Sequence, residues 1–82
     1  MDIKTESELN FLIGKNVRKY RIIYNATVED MPQRELAKRI GVSTPLIGAL
    51  ESRNSTQGVS IYKLYKISKV LNIPIEKFFE RE

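Results

Sequence analysis

Apolar residues recur every three or four positions through most of the chain, and no stretch shows the strict alternation of a strand. The first helix is expected after Thr5-Glu6-Ser7-Glu8, where Thr5 and Glu8 have capping-box spacing. Leu9, Leu12, Ile13, Val17, Tyr20 and Tyr24 then fall on one helical face, with Lys15, Arg18 and Lys19 mostly on the other. Asn25 to Asp30 is polar and reads as a loop. A second helix fits Gln33 to Ile40, with Pro32 in its first turn or just before it. Gly41 ends it, because glycine takes the left-handed conformation a helix terminus asks for. A third helix starts after Ser43 or Thr44 and runs to about Ser52; either cap is consistent with Pro45 in its first turn.

Residues 53–59 read as a polar loop. Ser60 caps a fourth helix that turns Leu64, Ile67 and Leu71 inward and ends at Asn72. Lys63, Lys66 and Lys69 form a basic stripe along it, read as a solvated face. Tyr20, Tyr62 and Tyr65 are read as packing residues rather than base-stacking platforms. A short fifth helix is expected from Pro74 to about Phe79. Phe78 belongs to the core, and Phe79 is either core or a dimer contact. The fold class is therefore all-α with five helices.

Composition narrows the function. The 82 residues suit one domain over 1–82, with residues 1–8 as a flexible arm or an extension of the first helix. A domain this small buries only roughly 60–65% of its unfolded surface, which disfavours a deep catalytic pocket. There is no cysteine and no histidine. Disulfides, thiolate catalysis, the usual zinc ligands and the commonest neutral-pH general base are thereby excluded. No nucleophile–base pair or phosphate-cradling glycine motif is recognisable, so neither enzyme activity, cofactor nor metal is expected. No apolar run approaches a membrane span and the first residues do not resemble a signal peptide, which points to the cytoplasm.

The charge distribution says more than the net +4. Six of the ten acids lie near the ends, whereas residues 10–75 hold 11 basic and 4 acidic side chains, a net +7. A basic body favours a polyanion through Coulomb attraction and counterion release.

The informative stretch runs from Gln33 to Glu51, Gln-Arg-Glu-Leu-Ala-Lys-Arg-Ile-Gly-Val-Ser-Thr-Pro-Leu-Ile-Gly-Ala-Leu-Glu. Two short helices joined by a tight turn cross steeply. Ala37 has to be small where the second helix passes over it, Gly41 makes the turn, and Leu36, Ile40, Val42, Ile47 and Leu50 fill the space beneath. This stretch resembles the helix-turn-helix of the lambda-repressor and Cro-like family. The likeness extends over about residues 12–80, including Leu71-Asn72-Ile73-Pro74-Ile75-Glu76-Lys77-Phe78-Phe79 as a closing pattern.

The resemblance implies a compact five-helix DNA-binding domain whose third helix enters the major groove. It implies base-facing positions at Thr44, Pro45, Gly48 and Ala49, and phosphate contacts from Gln33, Arg53, Asn54, Ser55 and Lys63. Arg21 and Glu51 sit where that family often pairs an arginine with a glutamate, a structural link between the first and third helices. The implied partner is double-stranded DNA with a palindromic operator, bound by a homodimer acting as a repressor-type regulator, with Phe79 as dimer candidate. No small-molecule effector is evident. The alternative is an adaptor or antagonist module using the same fold.

Two departures stand out. The connection between the first two helices is longer than usual, Tyr24 to Met31 supplying the extra residues. The reading face carries no glutamine, asparagine or arginine between Thr44 and Ala49. Bidentate contacts from such residues give roughly 1–3 kcal/mol of base discrimination each. Apolar contact to thymine methyls and DNA shape would have to stand in for them.

Overall fold

Four α-helices and a closing 3₁₀ turn make up the computed structural model, which describes residues 3–52 and 58–81. The helices are α1 (Glu6–Thr27), α2 (Gln33–Ile40), α3 (Thr44–Glu51) and α4 (Ile61–Leu71). The expected fifth helix is the 3₁₀ turn Ile75–Phe79. Five residues between Pro74 and Glu80 cannot repay α-helix nucleation, and the tighter turn suffices to carry Phe78 inward. Among the described residues there is no strand.

Thr5 caps α1 as expected, its Oγ1 accepting from the Glu8 amide at 3.1 Å. The far end of α1 departs from the sequence reading. Asn25, Ala26 and Thr27 continue the helix instead of opening a loop. No glycine or proline interrupts the run, and each added residue gains a backbone hydrogen bond at little cost. The surplus residues of the long connection are thus partly absorbed as an extra helical turn. The chain then reverses within residues 28–32, where Asn25 Oδ1 accepts from the Met31 amide. Met31 drops fully into the core and is not a spare connecting residue.

Pro32 stands just before α2 as its N-cap, and Gly41 ends the helix at φ 78°, ψ 36°. The Val42 amide reaches back to the Ala37 carbonyl at 3.0 Å. Ser43, not Thr44, caps α3: its Oγ accepts from the Leu46 amide, which places Pro45 second in the helix. Ser60 caps α4, and Asn72 closes it in the left-handed region at φ 55°. Lys66 does not belong to the solvated stripe, because its Nζ donates to the Ile40 carbonyl at 3.2 Å and so satisfies the end of α2.

One core joins all elements. Val17 of α1, Leu36 and Ala37 of α2, Ile47 and Leu50 of α3, Leu64 and Ile67 of α4 and Phe78 meet there. Tyr20 lies edge-on to Phe78, as a packing residue should. Tyr62 and Tyr65 are exposed, contrary to the packing role expected, and lie beneath Lys66 and Lys69 at 4.7 and 5.3 Å. Asn16 is the polar member of α1's buried face. Its Nδ2 donates to the Phe78 and Glu80 carbonyls, both at 2.8 Å, and so ties the 3₁₀ turn to α1.

Candidate nucleic-acid interface

The geometry of the site follows from how eight residues of α3 divide between two sides. Ile47 and Leu50 are the buried side, at 1% and 4% exposure. Positions three or four apart share a helical face, so Pro45 and Ala49 lie opposite Ile47 and Leu50, and Thr44 and Gly48 run along the edge between the two sides, the four making up the outer strip. Thr44 and Pro45 are exposed, and Gly48 and Ala49 are half-buried. Ala37 beneath is 99% covered, which leaves no room for a larger side chain where the two helices cross.

Two features of α1 hold α3 in place. At Gly14 the helices touch backbone to backbone: a Cβ there would lie 1.9 Å from the Leu50 carbonyl oxygen. The Arg21 guanidinium then grips Glu51 as a fork, with Nε to Oε2 at 2.8 Å and Nη2 to Oε1 at 2.9 Å. Its Nη1 donates to the Met31 carbonyl at 3.0 Å. Gln33 Nε2 donates to the same carboxylate at 3.0 Å. The Glu51 side chain is 1% exposed, so its charge depends on these donors. One carboxylate therefore ties α1, α2 and α3 together.

Gln33 is half-buried and buttresses α3 through that bond. Lys63 stands beside α3, sharing a small hollow with Leu46 and Leu50. Arg53, Asn54 and Ser55 lie outside the described residues. Phe79 is 40% exposed and so is not a core residue, unlike its neighbour Phe78. On the outer side of α2, Arg39 pairs with Glu35 at 2.8 Å and with Glu29. Hydrogen bonding from Arg39 holds the Glu35 carboxyl below its ordinary pKa and raises that of the guanidinium.

Sequence reasoning passed over Gly14, Asn16 and Met31. A glycine in mid-helix costs about 1 kcal/mol against alanine, which is itself a sign of close approach. Asn16 interrupts an apolar stripe, the mark of a buried polar group with a dedicated partner.

A helix-turn-helix family profile matches residues 29–78, the segment from the connection after α1 to the core phenylalanine of the 3₁₀ turn. The chain belongs to the lambda-repressor/Cro-like helix-turn-helix family. This helix-turn-helix chain is 35% identical over 78 residues to a protein of Rhodospirillum rubrum described as an uncharacterized transcriptional regulator in the ATPase CF(0) region. The alignment covers 95% of this chain and 66% of that relative, so the chain spans just under two thirds of the relative's length. No solved structure matches the helix-turn-helix chain. Among the described residues, no helix is long and apolar enough to cross a membrane.

Proposed function

We propose that this helix-turn-helix chain is a sequence-specific, double-stranded DNA-binding regulator of transcription, cytoplasmic, with residues 1–82 as one helix-turn-helix domain, that acts as a homodimer of the repressor type. The observation that carries this reading is the division of α3. Ile47 and Leu50 are buried and Glu51 is clamped, whereas Thr44 and Pro45 are exposed and Gly48 and Ala49 half-buried beside them. An α-helix with side chains is about 10–12 Å across, which suits a major groove about 12 Å wide. In this reading those four residues meet base edges, with Gly48 allowing close approach and Thr44, Pro45 and Ala49 offering apolar contact to thymine methyls. Gln33 and Lys63 flank α3, and Arg53, Asn54 and Ser55 follow it in sequence; these five contact phosphates. Phe79, exposed on the 3₁₀ turn, supplies the dimer contact. A two-fold dimer requires a roughly palindromic operator with half-sites about 34–36 Å apart or a multiple of that.

Selection from genomic fragments, followed by footprinting across a salt series, tests the proposal. It expects paired, symmetric protection and an affinity that falls steeply with salt. Protection of a single half-site at every concentration would refute the dimer. Failure of any duplex to bind at low salt, with a protein partner co-purifying, would replace DNA binding by the adaptor or antagonist role.

A further inference from the structure

A groove of about 650 Å³ opens between the outer side of α1 and the flank of α3. Lys15, Arg18 and Lys19 line its α1 wall; Gly48 and Ser52 line the wall opposite. The acid among the lining residues is Glu51, whose carboxylate is shielded and already held by Arg21 and Gln33. The outward charge of the groove is therefore positive.

Lys15 and Arg18 stand one helical turn apart with no acid at helical spacing, as do Lys63, Lys66 and Lys69 of α4, but of these only the α1 pair lines the groove beside α3. Arg39 has Glu35 one turn away, and Lys77 has Glu80. The helical neighbours of Lys15 at three and four positions are Phe11, Leu12, Arg18 and Lys19; those of Arg18 are Gly14, Lys15, Arg21 and Ile22. No acid stands among them, and like charges at this spacing destabilise a helix by a few tenths of a kcal/mol each. An external anion relieves that repulsion.

We propose that this groove binds the DNA phosphodiester backbone along one rim of the major groove, a second electrostatic flank supplied by α1. The proposal rests on the reading of α3 as the DNA-facing helix. A helix seated in the major groove nearly fills it, so a wall standing beside that helix meets the sugar–phosphate rim and not base edges. Gly48 links the two surfaces, because it belongs both to the outer strip of α3 and to the groove. One polyanion thus covers both, whereas an acidic protein segment in the groove would account only for the α1 wall.

The test measures the salt dependence of binding for the full chain on a duplex recovered by the genomic selection. The variant Lys15→Gln/Arg18→Gln is compared with Lys69→Gln/Lys77→Gln, which removes the same charge from residues that do not line the groove. Each lost phosphate contact lowers the slope of log K against log salt by about 0.9. The groove pair should therefore lower it by close to 2, with the same bases protected and a melting temperature no lower than the parent's. The control pair should leave the slope as it is. An unchanged slope in the groove pair, or an equal fall in both pairs, overturns the phosphate flank while leaving the function reading intact. If the parent chain binds no duplex, it is the function reading that fails.

Discussion

Replacing Gly14 by alanine should destabilise the protein, although the change improves local helix propensity by about 1 kcal/mol. The new Cβ would lie 1.9 Å from the Leu50 carbonyl oxygen and 3.1 Å from its carbonyl carbon. Carbon–oxygen contacts normally begin at about 3.3 Å. The α1–α3 contact would have to open by more than an ångström, and neither partner is a flexible side-chain end. Over-packing a close-packed interior typically costs about 1–3 kcal/mol, and a backbone obstacle places this case at or above the upper end. Net of the propensity gain, the loss should be about 2 kcal/mol, equivalent to roughly 8–16 °C in melting temperature for a domain of this size. Circular dichroism at 222 nm under heat and urea reads it directly. Gly48→Ala is the matched control: it is the same substitution in a helix, with its Cβ in ordinary contact at 3.5 Å from Gln33 Oε1. That variant should gain up to about 1 kcal/mol. If Gly14→Ala melts at or above the parent temperature, the helices do not touch as described.

Glu51→Ala strands the largely buried Arg21 guanidinium and should cost about 3–5 kcal/mol in urea unfolding, with Arg21→Met/Glu51→Leu recovering much of it. Asn16→Ala removes two 2.8 Å bonds and should cost about 2–3 kcal/mol, with the amides near Phe78 losing hydrogen-exchange protection before those of α4. Gly48→Gln should leave the melting temperature within a few degrees of the parent while abolishing operator binding in a gel-shift assay, since its side chain starts in ordinary contact at the outer strip. The Glu35 carboxyl, hydrogen-bonded by Arg39, should titrate by NMR below a free glutamate. Its folded pKa is lowered, so the stability it lends is complete above the unfolded value and disappears as pH falls through the folded one. Glu35→Gln should soften that acid limb.

The stretch from Pro32 to Leu50 was legible because its steric demands fall on residues whose types announce them. Alanine at a crossing and glycine at a left-handed terminus have few substitutes, and α2, the turn and α3 lie where Ala37, Gly41 and the serine–threonine cap imply. The last turn of α1 was illegible because a solvent-facing extension carries no apolar periodicity; Asn25 and Thr27 look like loop residues, although Thr27 Oγ1 donates to the Ile23 carbonyl one turn back and Asn25 Oδ1 accepts from the Met31 amide. Gly14 and Asn16 were hidden for a different reason. Their partners are the carbonyls of Leu50, Phe78 and Glu80, backbone atoms that every residue type supplies. Pattern also misplaced Tyr62 and Tyr65, since an aromatic ring on an amphipathic helix does not declare which side the rest of the fold will cover.

The three-way clamp on Glu51 separates mounting from display. Arg21 and Gln33 seize the helix from below, through a carboxylate that takes no part in its outer strip. Whatever side chains stand at 44, 45, 48 and 49 inherit the same pitch and height. Such an arrangement lets descendants of this chain exchange those four letters, and so acquire new preferences, without renegotiating how the molecule holds itself up.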